Sequence, residues 1–311
     1  MRIAFFGSSR FSCLILEKLL ASAHEVACVI TQPDQPAGRS MKLAPTQVAL
    51  EAADAGITVL KPERLRGDEQ TSARLEALKI DALLVASYGQ ILPKRILNLT
   101  PWPLNVHPSL LPKLRGASPI RTALLQGLST TGCCIMRMTP RLDDGDVLLR
   151  EQLEIDRVWN YEALESALGE LGGRQAIQAL DMCAQVSAQL TPQEHDHATY
   201  CSTYRRDHTW IDWSLPANQL SDFIRAWDPD LGALTLLDGK RLKVWRVEVA
   251  THEQAPAAFG TVLTVDRRNL TVACGSGILS LLNVQLENKR RMPISDFLAG
   301  HNVERGAVFG S

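Results

Sequence analysis

The chain has 311 residues, of which 45% are hydrophobic and 22% are charged, and its formal net charge is −1. This length allows two packed cores, since single cores usually stop growing near ~250 to 300 residues. The near-neutral charge argues against a wholly basic nucleic-acid binder, and no secretion signal or apolar run of the ~20 residues that span a membrane is found. We therefore expect a cytoplasmic protein of two domains with no membrane contact.

The cysteines and the distribution of charge narrow the class of protein further. The seven cysteines are odd in number and scattered, without CxxC pairs or zinc-like spacing, so we expect buried free thiols and no metal. Residues 240–311 hold 10 Lys and Arg against 6 Asp and Glu, or +4, which leaves −5 for the rest. A basic C-terminal part suits a substrate that carries a polyanion, although chance clustering explains the count equally well.

Residues 1–190 alternate short apolar runs with helical patterns, which is typical of parallel strands connected by helices. The predicted strands are residues 2–7, 25–31, 58–60, 81–88, 104–107 and 133–138. Apolar residues three or four apart predict helices near residues 11–21, 44–55, 69–78, 118–127 and 161–189. This order of elements predicts an α/β domain with an open, doubly wound sheet.

The character of the sequence changes after residue 190. Residues 191–206 are polar and are predicted to be a linker. In residues 207–311, a predicted helix at 217–227 precedes several short apolar runs that are separated by turns containing glycine. This pattern predicts a second, smaller β-barrel domain of the OB-like type.

Polar residues follow two of the predicted strands. Asn105 and His107 end the fifth strand and lie on one face of it, because alternate side chains of a strand share a face. Asp143 and Asp144 follow the strand at 133–138, next to Gly145, which permits a tight turn. Ligands of doubly wound sheets bind outside the carboxyl ends of the strands, so we expect Asn105, His107 and Asp143 to meet there.

An amide, an imidazole and a carboxylate suit acyl transfer without a nucleophilic side chain. When an amine attacks a formyl carbonyl, Asn105 and protonated His107 can donate hydrogen bonds to the oxyanion that forms. Asp143 would orient His107, and a carboxylate near the attacking nitrogen could accept its proton. A lone histidine at a strand end and aspartates around a glycine are more often structural, so the residues alone leave both interpretations open.

Seven segments of the chain resemble the methionyl-tRNA formyltransferases, within the wider folate-dependent formyltransferases, and together they cover nearly the whole chain. They are TQPDQPAGR (31–39), ASYGQILPK (86–94), NVHPSLLPKLRGASPI (105–120), LDDGD (142–146), IDW (211–213), IRA (224–226) and VQLENKRRMPISDFLAGHNV (284–303). The resemblance implies a Rossmann-like doubly wound parallel sheet in residues 1–190 and an OB-like domain in residues 207–311 that helps to hold tRNA. It also implies that 10-formyltetrahydrofolate is the donor and methionyl initiator tRNA the acceptor.

The resemblance also implies roles for individual residues. Its catalytic residues fall on Asn105, His107 and Asp143. The residues expected to contact the formyl-folate are Tyr88, Ile91, Ser109, Leu110, Leu111, Pro112 and Asp144. The residues expected to contact tRNA are Arg39, Lys42, Arg205, Arg206, Lys289, Arg290 and Arg291. We expect a monomer that holds no metal.

Three alternative functions remain. A sugar-nucleotide N-formyltransferase uses the same donor and the same three residues, and the pair Arg205 and Arg206 before IDW is similar to that branch. The TQPDQPAGR and ENKRRM segments favour the tRNA enzymes instead. A formyltetrahydrofolate hydrolase usually has a regulatory domain ahead of the catalytic one, and a folate-binding or RNA-binding module has little need for all three polar residues.

Overall fold

A computed structural model of the chain describes residues 1–37 and 41–310. These residues form two compact units. The first unit comprises Met1–Pro119, Thr130–Ile155 and Glu165–Ser202. The second unit comprises Ile120–Ser129, Asp156–Leu164 and the residues from Thr203 onward. The bounds predicted from the sequence, 1–190, 191–206 and 207–311, stay a prediction.

The first unit is built on a seven-stranded sheet. The strands in this part of the chain are β1 (Arg2–Gly7), β2 (Glu25–Ile30), β3 (Gln35–Ala37), β4 (Lys42–Ala44), β5 (Val59–Leu60), β6 (Ala82–Ala86), β7 (Trp102–His107), β8 (Arg115–Gly116), β9 (Thr130–Arg137), β10 (Val147–Glu154) and β11 (Tyr200–Cys201). Seven of them form one sheet in the order β10-β9-β7-β6-β1-β2-β5. The strands β3 and β4 form a hairpin, and β8 and β11 form a short parallel pair.

Six helices accompany these strands in the described residues. They are α1 (Arg10–Leu20), α2 (Gln47–Asp54), α3 (Glu69–Ala77), α4 (Lys94–Leu97), α5 (Pro119–Leu125) and α6 (Tyr161–Ala184). The strands β5, β2, β1, β6 and β7 run parallel to one another. All five residues of β6 are buried, as expected for a parallel strand that is covered on both faces. The predicted α/β fold with a Rossmann-like parallel sheet is thus confirmed for this unit.

One edge of the sheet differs from the parallel pairing that was predicted. The strand β9 runs antiparallel to β7, and β10 runs antiparallel to β9. We did not predict β10, because residues 150–152 are exposed and charged or polar, which is typical of an edge strand. Arg137, the last residue of β9, pairs with Leu104 near the start of β7. The loop after β9 therefore begins at the end of the sheet opposite to His107.

Close packing of α6 leaves one face of β7 for polar residues. A methyl group at Gly172 of this helix would lie 2.8 Å from Val106 Cγ1, so only a glycine permits this approach. Leu104 and Val106 are both buried on the same face of β7. Asn105 and His107 consequently lie on the other face.

The first part of the predicted linker is bound to the first unit. The main chain of Thr191 exchanges two hydrogen bonds with Val147, of 2.8 and 2.9 Å. A 3₁₀-helix at His195–His197 follows, and then β11 pairs with β8. Residues 191–201 are consequently ordered against the loops that surround the end of β7.

The second unit contains a separate antiparallel sheet. Its elements after residue 203 are a 3₁₀-helix (Arg206–Thr209), α7 (Ala217–Trp227), β12 (Ala233–Leu237), β13 (Lys240–Thr251), β14 (Val262–Val265), β15 (Leu270–Ala273), β16 (Ile278–Leu286), β17 (Met292–Pro293) and α8 (Ile294–Gly300). The sheet order is β12-β13-β16-β15-β14, with β17 paired to β16. The described residues do not form a closed barrel, so the OB-like detail of the prediction is not confirmed.

The cysteines are free thiols, and all except Cys201 are buried. Burial raises the pKa of the Cys13 and Cys28 thiols to about 12. Within residues 1–37 and 41–310, no helix combines the length and apolar character that a membrane crossing requires.

Candidate active site

Asn105 and His107 are buried polar residues at the end of β7. Their exposed fractions are 8% and 3%. The Asn105 amide makes no hydrogen bond to any residue that the structure describes, although its atoms are not fully closed off from solvent. Buried amides are normally paired, so this side chain is available to a ligand.

The ring of His107 is fixed by one hydrogen bond and faces a carboxylate with its other nitrogen. His107 Nε2 lies 2.9 Å from the carbonyl oxygen of Leu114. Because a carbonyl only accepts, Nε2 carries a proton and donates it. His107 Nδ1 lies 3.8 Å from Asp143 Oδ2, which is within ion-pair range but too long for a hydrogen bond. Nδ1 is therefore the ring nitrogen that is free to exchange a proton.

Asp143 reaches His107 because the loop after β9 turns back along the sheet. Asp143 Oδ2 accepts a hydrogen bond of 2.8 Å from the main-chain N–H of Gly116. A methyl group at Gly145 would lie 1.8 Å from the carbonyl oxygen of Arg137, so glycine is required for the turn. The structure thus brings His107 and Asp143 together. The expectation that the strand before Asp143 ends beside His107 is wrong. The strand β9 runs antiparallel to β7 and ends at the opposite edge of the sheet.

Gln193 connects the two loops of the site through its side chain. Its Nε2 donates to the carbonyl oxygens of Asp143 and Gly145, at 3.0 and 2.6 Å. Its Oε1 accepts from Arg115 Nε and Nη2, at 3.2 and 2.7 Å. Gln193 and Arg115 are only 5% and 3% exposed. This buried pair, which we call the Gln193–Arg115 brace, holds the Asp143 loop against the loop that follows His107.

Sequence reasoning missed the brace. Arg115 also donates to His195 Nδ1 at 3.0 Å and to the Tyr200 hydroxyl at 3.4 Å. Gln193 lies in a polar stretch that gives no sign of burial. The only signal for Arg115 was its position within the NVHPSLLPKLRGASPI segment.

The segment of residues 109–112, predicted to contact folate, forms a turn after β7. The Ser109 hydroxyl donates to the carbonyl oxygen of Lys113 at 2.6 Å, which closes the turn. Leu111 is 1% exposed and belongs to a small apolar cluster with Cys134, Met136 and Val147. Leu110 and Pro112 are half-buried. The predicted folate contacts of these four residues stay predictions.

The other three residues predicted to contact folate lie in different surroundings. The Tyr88 ring is 2% exposed and stands edge-on to Phe6, with 5.4 Å between ring centres, and burial raises the pKa of its hydroxyl. Ile91 is 82% exposed and lines a cleft of about 500 Å³. Asp144 accepts a hydrogen bond from the Thr139 hydroxyl. Among the described residues, no three His, Cys, Asp or Glu side chains are grouped so as to hold a metal ion.

The residues predicted to contact tRNA are distributed over both units. Arg39 lies outside the described residues. Lys42 is exposed on the hairpin of β3 and β4. Arg205 and Arg206 are exposed, and Arg206 lines a cleft of about 460 Å³ in the second unit.

Two cations of that second-unit surface, Arg291 and Lys243, lie over the ring of Trp245. Arg291 is paired with Asp228, and its guanidinium lies 5.0 Å from the centre of the Trp245 ring. Lys243 lines the same cleft as Arg206, and burial together with the Arg206 charge lowers its pKa. Lys289 and Arg290 are also exposed, and neither forms an ion pair with a residue that the structure describes.

Comparisons with known proteins identify the family. The family model of the formyl transferases matches residues 1–180, and that of the formyl transferase C-terminal domain matches residues 205–302. A methionyl-tRNA formyltransferase of Acidovorax ebreus is 40% identical over 322 aligned residues, covering 100% of this chain and 99% of the relative. One of Geotalea daltonii is 38% identical over 313, covering 100% and 98%. The chain belongs to the methionyl-tRNA formyltransferase family.

Solved structures of similar fold come from other formyltransferases. WlaRD, a sugar 3N-formyl transferase determined in the presence of dTDP and 5-N-formyl-THF, has a TM-score of 0.68 at 16% identity, covering 93% of this chain and 99% of that one. An N-formyltransferase of Helicobacter canadensis has a TM-score of 0.67 at 14% identity, with the same two coverages. These likenesses concern the fold alone. The resemblance to the formyltransferase family is thus confirmed by both family models and full-length relatives.

Replacing Gln193 by alanine should loosen the Asp143 loop. The carbonyls of Asp143 and Gly145 would lose their donor, and Arg115 would lose its acceptor, which leaves buried polar groups unpaired. We expect amide hydrogen exchange in peptides covering residues 114–117 and 141–146 to accelerate at least about tenfold, as local opening becomes easier. The matched control is Gln185→Ala, which removes an exposed glutamine from the first unit. Equal exchange in the two variants would show that the brace does not hold the loop.

Proposed function

We propose that the protein transfers the formyl group of 10-formyltetrahydrofolate to the α-amino group of methionyl initiator tRNA. The observation that carries this proposal is the 38 to 40% identity to methionyl-tRNA formyltransferases over the full chain. A sugar acceptor is disfavoured, because the sugar enzyme WlaRD is only 16% identical and shares the fold alone.

In the proposed reaction, Asn105 and His107 stabilise the charge that develops on the formyl oxygen. The amine nitrogen attacks the formyl carbon, and the carbonyl oxygen becomes an oxyanion. The Asn105 amide, which has no partner among the described residues, donates one hydrogen bond to it. The second donor is protonated Nδ1 of His107, because Nε2 already donates to Leu114. Asp143 Oδ2 lies 3.8 Å from this nitrogen, within ion-pair range.

Asp143 also accepts the proton of the attacking amine in the proposed reaction. Oδ2 is bonded to the Gly116 N–H, so Oδ1 accepts the proton, directly or through one water. The tetrahedral intermediate then collapses: the bond from the carbon to N10 of the folate breaks, and N10 takes up a proton. One carbon–nitrogen bond forms and one breaks, with no net change in protons.

The second unit would hold the tRNA, and we propose that its sheet is an OB-like barrel. The chain end supports this, because main-chain bridges join Gly310 to Leu236 of β12 and Val308 to Thr261, the residue before β14. These are the two edge strands of the sheet, so the last residues lie against both edges. The exposed cations Arg205, Arg206, Lys289 and Arg290 are the proposed phosphate contacts, and Arg291 would act while paired to Asp228.

A cytosolic location is part of the same proposal. The seven cysteines are free, which suits a reducing compartment. The monomeric state stays a prediction.

A two-acceptor assay tests the choice of substrate. The purified protein is given formyl-labelled 10-formyltetrahydrofolate with methionyl initiator tRNA and an amino-sugar nucleotide in one mixture. We expect label only in the tRNA fraction. Label only in the sugar nucleotide, or release of free formate alone, would overturn the proposed acceptor.

Removing the imidazole ring of His107 or the negative charge of Asp143 should slow the reaction without weakening folate binding. We expect His107→Ala and Asp143→Asn each to lower kcat by on the order of 100-fold or more, since each removes a group that acts on the transition state. Single-turnover formylation measures the rate, and fluorescence titration measures folate binding. Asp146→Asn, an exposed aspartate of the same loop, is the control and should stay within about twofold. Near-normal turnover in either site variant would refute the assigned roles.

Arg39 and Lys42 should contribute to tRNA affinity by displacing counterions. We expect Arg39→Ala and Lys42→Ala each to raise KM for tRNA and to reduce the slope of log kcat/KM against log salt by about one. Arg174→Ala, which removes an exposed cation ion-paired to Glu151, is the control. A salt slope that is the same in all four proteins would count against phosphate contact by Arg39 and Lys42.

A further inference from the structure

Tyr200 differs from the other aromatic residues of the first unit in its exposure to solvent. Its exposed fraction is 65%. The other aromatic residues that the structure describes in this unit are buried or half-buried, namely Phe5, Phe6, Phe11, Tyr88 and Trp102. Aromatic side chains are enriched at binding surfaces relative to the rest of a protein surface. The surroundings of Tyr200 therefore indicate what its ring can contact.

Tyr200 lies at the rim of the candidate active site. It pairs with Arg115 in the short parallel sheet of β8 and β11. The next residue of β8, Gly116, donates the 2.8 Å hydrogen bond to Asp143 Oδ2. Because neighbouring strands are ~4.8 Å apart, the Cα atom of Tyr200 lies within roughly 10 Å of this carboxylate. A substrate whose reacting nitrogen lies at Asp143 therefore has the Tyr200 ring within its reach.

The ring of Tyr200 is attached to a buried side chain. Arg115 Nη1 donates to the Tyr200 hydroxyl at 3.4 Å, and the guanidinium carbon lies 6.0 Å from the ring centre. Arg115 is 3% exposed and is itself held by Gln193 and His195. A side chain that is ordered before binding loses less conformational entropy when a ligand contacts it. Tyr200 thus presents a flat apolar surface that is already in place.

The acceptor end of a tRNA carries a flat ligand at a suitable distance. Its terminal adenosine is unpaired, and nucleobases of single strands stack on aromatic side chains. In a methionyl ester, about seven covalent bonds of ~1.5 Å join the α-amino nitrogen to the adenine, a span of roughly 9 Å at full extension. This span is similar to the separation of Tyr200 from Asp143.

We propose that the Tyr200 ring stacks on the terminal adenine of the methionyl tRNA, an inference that rests on the proposed function. Stacking fixes the ribose that carries the methionyl ester, so the amine is directed to Asp143. Tyr200 acts here as a binding residue for the acceptor and takes no part in proton transfer. The adenine contributes affinity through its π face, without hydrogen bonds from the ring.

The test combines removal of the ring with removal of the base. kcat/KM for formylation is measured with methionyl initiator tRNA that ends in adenosine, and with one whose terminal ribose carries no base. For the unmodified protein we expect kcat/KM to be roughly tenfold lower with the abasic acceptor, because a stacked base contributes on this scale. Tyr200→Leu, which keeps an apolar side chain without a ring, should show the same loss with adenosine.

The Leu variant should show no further loss with the abasic acceptor, since contacts that belong to one interaction are not additive. The abasic acceptor also controls for folding, because the unmodified protein and the Leu variant should then be equally active. Additive losses in the cycle would overturn the proposal and would show that the ring acts elsewhere than on the base.

Two further variants separate the ring from its surroundings. Tyr200→Phe removes the hydroxyl but keeps the π face, so it should stay within about twofold of the unmodified protein with the adenosine acceptor. Phe259→Leu removes a ring of the second unit that is 55% exposed, and it should keep the full preference for adenosine. Loss of that preference in Tyr200→Phe or in Phe259→Leu would contradict stacking on Tyr200.

Photocrosslinking gives a direct readout that does not depend on turnover. Initiator tRNA with 8-azidoadenosine as its terminal residue is irradiated with the unmodified protein, and the crosslinked peptide is identified by mass spectrometry. We expect the crosslink at Tyr200 or at a residue next to it. Crosslinks confined to other peptides would overturn the proposal.

The two proposals fail in different ways. Absence of formyl transfer to the adenosine-ended tRNA by the unmodified protein would contradict the proposed function. Normal transfer that is insensitive both to the terminal base and to the Tyr200 ring would overturn the stacking proposal alone.

Discussion

The hydrogen bond from the Gly116 N–H to Asp143 Oδ2 is the constraint on which the candidate site depends. The strand β9 ends opposite to His107, so nothing in the sheet itself brings the two side chains together. The loop must turn back, and it does so with Asp143 at a φ of +49°. Leu114, whose carbonyl fixes His107, has a φ of +55°. Left-handed conformations of such residues cost roughly 1 to 3 kcal/mol each, so the surrounding contacts, including the Gln193–Arg115 brace, must hold them.

The fold could be predicted where burial leaves a regular pattern in the sequence. The helix α7 was predicted at its observed bounds, residues 217–227, because its apolar residues recur with helical spacing. The strand β6 was predicted because it is a continuous apolar run. The strand β10 was missed because an edge strand with exposed charges has no such pattern, and its antiparallel direction depends on pairing that single-strand periodicity does not encode.

The site could be predicted only in part, for a related reason. Asn105 and His107 follow from the alternation of side chains along one strand, which is a local property. Asp143 was correctly predicted to lie near His107. That prediction assumed that β9 runs parallel to β7, whereas the two strands are antiparallel. Gln193 contacts the main chain 50 residues earlier in the sequence, and its burial arises only when residues 191–201 pack on the first unit. No local pattern distinguishes it from the polar residues around it.

Net charge counted along the sequence is a poor guide to where free positive charge lies. Residues 240–311 carry an excess of +4, yet Arg291 in this region is paired with Asp228, and burial lowers the pKa of Lys243. Arg64, Arg66, Lys94 and Arg137 belong to the part of the chain with a net charge of −5, and they have no ion-pair partners among the described residues. Pairing therefore decides which cations can bind an anion.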